Sequence, residues 1–440
     1  MELNQRNHGN RLLEENKIVN ILIILLVVFC SGYYYATTTS GSSISSILLG
    51  FGIIFLLGQE LFKQRSTNKK ATILISKRNL WLSAYLLITI LITSFLHGDF
   101  SAIAVKQILI TIVAVLIVNK YSWEEFCTAF EKAMVIISVL ALFGLFLCQT
   151  PIIERLPTIV NYNNQTYVSG IFFSVLKYAY VGMTKRLHGL FWEPGLFASY
   201  LSLAMILLKN ENKKKYWITQ ILFAVCLILS RSGAGIAMIP MILIAKIADR
   251  SENKLSNLAS VLLTVLMVLL FVLAQVGSGF IETWVNSNFT IKATDITNIS
   301  NYTRTNAILV DLRIAWEHLP FGVGIGGYAD EVARYSSIME SSGTSTITTY
   351  LAQYGILGVP IVYLWLKGVF HFSGNRGFLS VFATAALMLT ILTKEPHGNL
   401  LFMNCVFMYI ALQTNKQREE ESSNSLNVSQ EAQQWEVTNQ

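Results

Sequence analysis

The sequence predicts an all-α, polytopic integral membrane protein with about twelve transmembrane helices. Of the 440 residues, 53% are apolar and only 13% are charged. Apolar runs of about 18 residues or more also recur along the chain, which is the length that a helix needs to cross the hydrocarbon core of a bilayer. The net charge of +7 comes mainly from lysines and arginines in short loops, where they orient the chain in the membrane. No nucleic-acid partner is therefore predicted.

The predicted spans follow one another along most of the chain. They cover residues 18–35, 44–62, 80–96, 102–118, 133–149, 194–208, 216–229, 234–247, 257–276, 346–366, 377–393 and 399–413. The first span is predicted to be retained, because residues 36–39 form a poor signal-peptide cleavage site. Between the fifth and sixth spans, the run from Val168 to Gly182 is apolar enough for an interfacial or re-entrant helix.

The distribution of cations predicts the topology. Loops such as residues 63–78 and 209–215 are rich in lysine and arginine, whereas residues 36–43 carry no charge. Cytoplasmic loops carry the excess of cations in membrane proteins. We therefore expect both termini inside, and the two long loops at about residues 151–193 and 277–345 outside.

The chain is thus predicted to contain one membrane domain with short polar ends. Residues 1–17 form a cytoplasmic N-terminus, and residues 18–413 form a single polytopic domain. Residues 414–440 are rich in Asn, Gln, Ser and Glu, a composition that predicts a disordered cytoplasmic tail.

The sequence predicts no disulfide framework, no metal site and no cofactor. The five cysteines, Cys30, Cys127, Cys148, Cys226 and Cys405, have neither paired nor metal-ligand spacing. No aspartate-rich metal motif lies in the predicted outer loops.

Unusual charge collects in the predicted outer loops. Arg186, His188 and Glu193 precede the helix that starts at Pro194, and Arg231 lies in a Ser/Gly-rich turn between two spans. A guanidinium group matches phosphate oxygens in a bidentate fork, so these arginines suit a lipid-linked pyrophosphate. The amides of a helix that begins at a proline are a second device for binding anions.

Each of these residues also has a structural interpretation. Arg186 could lie at the membrane interface with its stem in the apolar phase, and Arg231 could belong to a buried ion pair. His188 could be a hydrogen-bonded interface histidine, as could His318 and His397. Glu193 could cap the helix that follows it.

Two features of the larger outer loop also have structural interpretations. Glu317 lies four positions after Arg313, the spacing of a helical ion pair. The glycine-rich run at 322–327 is weak evidence for a nucleotide loop, because no strand precedes it and ATP is absent outside the cell.

Residues 186–200 resemble the arginine-to-helix entry of bacterial O-antigen polymerases and related surface-polysaccharide polymerases. Residues 229–233 resemble the serine-arginine turn of these proteins, and residues 316–326 resemble the tryptophan and Pro-Phe-Gly stretch of their large outer loop. Residues 351–358 match the entry of the following helix. The resemblance thus covers about residues 185 to 360, and it implies a GT-C-like membrane fold.

The resemblance also implies a function. The chain would be a glycosyltransferase that moves a growing glycan from undecaprenyl pyrophosphate to the next lipid-linked repeat unit, at the outer face of the bacterial inner membrane. Its partners would be the undecaprenyl-pyrophosphate-linked oligosaccharide, membrane lipids and a chain-length regulator protein. The catalytic candidates are Arg186, Glu193, Arg231, Glu395 and His397, and the substrate-binding candidates are His188, Arg304, Arg313, His318 and Lys394.

Other functions remain open. An O-antigen ligase would transfer glycan to a lipid A core, but the histidine of the ligases is replaced here, with Thr344 and Ser345 at the matching positions. A transporter of lipid-linked oligosaccharide should show internal repeats and charges near the bilayer midplane, and neither is evident. A sensor or scaffold would not need several outward arginines.

Overall fold

The computed structural model describes most of the predicted membrane domain. The described residues are 19–66, 77–160, 166–170, 173–176, 186–208, 213–232, 235–236, 238–240, 242, 307–335, 345–371 and 400–411. Predictions that concern the termini, the spans at 257–276 and 377–393, and most of the span at 234–247 lie outside these residues.

The described part of the chain is mostly helical. Its helices are α1 (Val19–Phe29), α2 (Thr39–Ser66), α3 (Lys77–Leu96), α4 (Ala102–Lys120), α5 (Trp123–Leu147), α6 (Pro194–Leu207), α7 (Lys213–Ser230), α8 (307–317), α9 (Gly324–Tyr335), α10 (Thr346–Tyr354), α11 (Val359–His371) and α12 (Leu401–Ala411). Short 3₁₀ helices lie at Tyr34–Thr37, Pro151–Arg155 and Gly355–Gly358.

Four helical segments of the described part are long and apolar enough to cross a membrane. They are Asn79–Leu96, Ala102–Lys120, Trp123–Leu147 and Thr346–Lys367. These segments fall on four of the predicted spans and fit a membrane protein. The count of twelve spans stays a prediction.

The helix in the fifth predicted span begins earlier than expected. α5 begins at Trp123, ten residues before the predicted start at residue 133. Ser122 accepts a hydrogen bond from the Glu125 amide, and the Glu125 carboxylate accepts one from the Ser122 amide. This capping box extends the helix over a polar first turn that a hydropathy window excludes.

The first long loop contains a small β-sheet where an interfacial or re-entrant helix was considered. Strands β1 (Thr158–Val160), β2 (Thr166–Gly170) and β3 (Phe173–Leu176) pair antiparallel in the order β1-β2-β3. The helix prediction for residues 168–182 is therefore wrong where these residues are described, and the fold is not purely α. The β-branched side chains of Val168 and Val175 pack on Cys148 beyond the end of α5.

An aromatic cluster joins three helices in the core. The ring of Phe402 in α12 lies 4.3 Å from Phe130 and 5.4 Å from Phe126, both in α5, and 5.0 Å from Tyr200 in α6. Aromatic pairs at these distances add to the stabilisation from burial alone. The cluster thus packs the start of α12 against α5 and α6. We call residues 186–193, which precede α6, the α6 lead.

Candidate active site

The turn that follows α1 connects the starts of α12 and α6. At residues 30–33, Ser31 Oγ accepts a hydrogen bond of 2.7 Å from the Phe402 amide, in the first turn of α12. The carbonyl of Gly32 accepts one of 3.3 Å from the Trp192 amide, in the α6 lead. The turn therefore holds two chain segments that are about 210 residues apart in the sequence.

The α6 lead is fixed on both sides by backbone hydrogen bonds. The Leu187 amide donates to the carbonyl of Leu229 at 3.1 Å, near the end of α7. On the other side, the Ser174 amide in β3 donates to the carbonyl of Gly189 at 2.8 Å, and the Ser174 hydroxyl donates to the carbonyl of Phe191 at 3.1 Å. The sheet and α7 thus hold the segment that carries three of the site candidates.

Arg186 binds the C-terminal end of α7. Its Nε donates to the carbonyl of Ser230 at 3.0 Å, and its Nη2 donates to the carbonyl of Arg231 at 3.1 Å. The last carbonyls of a helix have no partner within it and carry partial negative charge, which a guanidinium group satisfies well. This contact gives Arg186 a structural role in addition to the predicted contact with pyrophosphate.

Arg231 occupies an uncommon backbone conformation. Its φ is 50°, and it is the only non-glycine residue with positive φ in the described part of the chain. This left-handed conformation costs an L-residue about 1–2 kcal/mol. The side chain is exposed, and the described residues provide it with no hydrogen bond or ion pair. A buried ion pair, the alternative to a ligand role, is therefore not found for Arg231 in the described part.

The turn at Arg231 lies beside the start of α6. A Cβ placed on Gly235 would lie 2.8 Å from the Cβ of Ala198, so the chain after the turn packs directly on α6. Glu193 is the N-cap residue of α6 and Pro194 is its first residue, but the Glu193 side chain makes no capping hydrogen bond. Glu193 therefore occupies the N-cap position that the capping interpretation requires, but without a capping hydrogen bond from its side chain.

His188 is buried in the α6 lead. It is 2% exposed, and neither ring nitrogen has a hydrogen-bond partner among the described residues. The centroids of the Tyr167 ring in β2 and of the imidazole lie 5.9 Å apart, and the two rings meet edge to face. Burial and the charge of Arg186 lower the pKa of His188 to about 3. The nearby Trp192 backbone acts to raise this pKa, but its effect is the smaller one. The imidazole is neutral at physiological pH and is a poor general base.

Lys106 is a cation that the sequence analysis missed. It lies on α4, on its second turn from Ser101, and is partly buried. Lys106 lies within electrostatic range of the thiol of Cys30, at the start of the turn that holds Trp192 and α12. A lysine inside the predicted span 102–118 is the signal that could have identified it, because charge is costly within the membrane.

A buried carboxylate was also missed. Asp311 of α8 is fully buried and accepts hydrogen bonds from the hydroxyls of Tyr328 at 2.5 Å, Thr348 at 2.6 Å and Thr349 at 3.2 Å. Burial raises its pKa to about 6, and the three hydroxyl donors oppose that shift. Asp311 thus joins α8 to α9 and α10. An aspartate within the apolar stretch at 307–316 is the signal that could have identified it, because a buried charge needs hydrogen-bond partners.

The ion pair predicted from helical spacing is present. Arg313 Nε lies 2.7 Å from Glu317 Oε1, and the Tyr335 hydroxyl donates to the other oxygen of Glu317. The hydrogen-bonded interpretation of His318 is also found, since its Nε2 lies 3.1 Å from the buried Glu331 carboxylate.

The glycine-rich run packs against other parts of the chain. Gly322 and Gly324 have φ of 68° and 73°, and the run from Gly324 onward forms the first turn of α9. A Cβ on Gly326 would clash with the carboxylate of Asp99 in the turn after α3. Close packing, and not nucleotide binding, accounts for these glycines.

A family model described as WcaD colanic acid polymerase matches residues 43–414, which is most of the chain. The chain belongs to the WcaD colanic acid polymerase family. It is therefore a polysaccharide repeat-unit polymerase, a type of glycosyltransferase, and the family resemblance read from the sequence is confirmed. No curated protein and no solved structure matches the chain.

In this WcaD-family chain, the structure brings together part of the predicted site. Arg186, His188 and Glu193 share the α6 lead, and Arg231 adjoins it through the Arg186 hydrogen bond. Arg313 and His318 are held by other partners, on and after α8. The remaining candidates lie outside the described residues: Arg304, Lys394, Glu395 and His397.

Metal ligands do not cluster in the described part of this WcaD-family chain. No group of three or more His, Cys, Asp and Glu side chains is placed there to hold a metal ion.

Proposed function

We propose that the chain polymerises repeat units linked to undecaprenyl pyrophosphate, at the outer face of the bacterial inner membrane. A hydroxyl of one lipid-linked unit attacks the anomeric carbon of the glycan on the second lipid. The new glycosidic bond forms as the bond to the pyrophosphate oxygen breaks. The hydroxyl proton passes to a base, and undecaprenyl pyrophosphate leaves with its negative charge.

The observation that carries this proposal is the position of Arg231 beside the start of α6. Its guanidinium is exposed, and its backbone is held in the left-handed conformation while Arg186 binds its carbonyl. A cation fixed beside a helix N-terminus suits a pyrophosphate whose charge grows as the glycan departs. Stabilisation of this kind commonly provides the largest part of the rate acceleration.

In this proposal, Lys106 and Arg186 provide the other positive charges near the pyrophosphate. Lys106 lies near Cys30, a residue of the turn whose Gly32 carbonyl accepts a hydrogen bond from the Trp192 amide of the α6 lead. Two lipid-linked substrates bring two pyrophosphates to the site, so several cations are needed. Arg186 keeps α7 and the α6 lead in place and adds its charge to the site.

The base is proposed among Glu193, Glu395 and His397. Glu193 adjoins Pro194 at the start of α6, and its side chain makes no capping hydrogen bond. The low pKa and the burial of His188 make its imidazole unsuited to proton transfer with the substrate.

The test is reconstitution of the purified full-length chain in liposomes with one lipid-linked repeat unit. We expect a ladder of chain lengths, together with release of undecaprenyl pyrophosphate. Arg231→Ala should abolish both, while the variant remains folded and monodisperse. Transfer of single repeat units to an added lipid A core, without any ladder, would contradict polymerisation and would identify a ligase.

A further inference from the structure

Helix α8 carries apolar side chains on two opposite sides. Val310 and Ile314 are buried against α9 and α10 on the inner side. Leu309, Leu312 and Trp316 recur at intervals of three and four residues, so they line the opposite side of the helix. Leu309 is 59% exposed and Trp316 is 77% exposed.

This second side is too apolar for a surface that faces only water. Leu319 and Phe321, directly after α8, are also exposed and extend the same patch. A helix packed on its protein through one side needs only a single apolar stripe, and its other side is normally polar. An exposed contiguous apolar patch marks contact with another apolar phase.

The patch lies beside the end of a membrane-crossing helix. The chain runs from α8 through Phe321 directly into α9, whose first turn packs on Asp99 in the turn after α3. Phe95 and Phe100 flank that turn, and they are 74% and 60% exposed. The apolar surface of α3 therefore continues toward the α8 patch at this end of the bundle.

Charged groups lie along one edge of the patch. Arg313 and Glu317 form an ion pair of 2.7 Å and follow Leu312 and Trp316 by one position each, about 100° around the helix. The Arg313 guanidinium also lies 4.9 Å from the Tyr335 ring centroid. An apolar stripe with tryptophan and a flanking arginine is the composition of helices that lie in a membrane interface.

We propose that α8 is an interfacial helix that lies in the outer leaflet, at the boundary between headgroups and acyl chains. Leu309, Leu312 and Trp316 face the acyl chains, and Arg313 lies at the level of the lipid phosphates. Asp311 connects α8 to α9 and α10 through hydrogen bonds. The depth of α8 in the membrane therefore sets the position of all three helices relative to the bilayer. The partner is the bilayer, not the polyprenyl chain of the substrate.

The test uses spin labels in the full-length chain, reconstituted in liposomes without substrate. Labels are placed singly at Leu309, Leu312 and Trp316 after the five native cysteines are replaced, and each variant is checked for polymer formation. We expect high accessibility to oxygen and low accessibility to a water-soluble nickel chelate, as at Ile88 on the lipid side of α3. Asp330, which is exposed on α9, should show the reverse.

Two results would overturn the proposal. Nickel accessibility at positions 309 and 316 equal to that at position 330 would place the helix in water. Protection from both reagents would mean that protein covers the patch. In the first case, a nickel accessibility that falls when lipid-linked substrate is added would assign the patch to the polyprenyl chain.

A second measurement needs no label. The fluorescence of Trp316 should be quenched by lipids brominated near the headgroup and not by iodide in the water. Trp316→Phe should remove this component of the fluorescence. If iodide quenches that component and brominated lipids do not, the interfacial position is wrong.

Discussion

The guanidinium of Arg186 donates a hydrogen bond of 3.1 Å to the main-chain carbonyl of Arg231. The same side chain binds the carbonyl of Ser230, so one arginine holds the helix end that presents the other. Residues 45 positions apart thus form a single unit. The sequence suggests equal roles for the two arginines, whereas their geometry separates a supporting side chain from an exposed one.

Arg186→Ala should lower both thermal stability and activity. It removes two charge-assisted hydrogen bonds to a helix C-terminus, an expected loss of about 2 kcal/mol, and should reduce the melting temperature measured in detergent. Arg313→Ala is the control for the melting temperature, because it breaks an exposed ion pair of little energetic value. An unchanged melting temperature together with lost polymer would place Arg186 at the substrate alone.

Arg231→Lys should lose at least nine tenths of the polymerising activity with no loss of stability. Lysine keeps the charge but lacks the fork that binds two phosphate oxygens. Arg231→Gly should also be inactive, yet it should be more stable by about 1 kcal/mol because glycine tolerates the φ of 50°. A ladder of normal length from the lysine variant would remove Arg231 from the site.

Lys106→Met should raise the KM for lipid-linked substrate about tenfold, because it removes a cation near the turn that holds the α6 lead. Lys106→Arg should retain most of the activity. Lys120→Met provides a matched control on the same helix, since Lys120 is the last residue of α4 and binds Gln59. If Lys106→Met and Lys106→Arg both keep the wild-type KM, Lys106 does not contribute to substrate binding and its ammonium group only extends to the membrane interface.

Asp311 should make stability depend on pH. Its pKa is raised to about 6 in the folded chain, so its stabilising contribution is present below its ordinary pKa and is lost as the pH rises through about 6. Asp311→Asn should remove this loss, and its melting temperature should fall less than that of wild type between pH 5 and about 7.5. If the melting temperatures of the two proteins fall equally between these pH values, Asp311 is not the source of the pH dependence.

Deletion of the protein should distinguish a polymerase from a ligase. Loss of a polymerase leaves a single repeat unit on the carrier, which a ligase can still attach to a core. Arg231→Ala should reproduce the deletion phenotype, because a polymerase and a ligase would both have to bind the lipid pyrophosphate. Long carrier-linked polymer with an unsubstituted core would instead identify a ligase, with His318 and His397 then the first residues to vary.

The apolar runs of the sequence determine where the described membrane helices lie, because burial in a bilayer depends on local composition. The segments at 79–96, 102–120 and 123–147 fall on predicted spans for this reason. The order of motifs between residues 185 and 360 likewise determines the family, since the WcaD model spans all of it.

Only the tertiary structure decides how the site candidates are used. The partner of Arg186 lies 44 residues away, and the donors that surround Asp311 come from two other helices. Strands β2 and β3 form because they pair with each other and pack on Cys148, although their local hydropathy also suits an interfacial helix. Hydrogen bonds between distant segments depend on how the chain folds back on itself, and a one-dimensional pattern of hydropathy and charge does not contain that information.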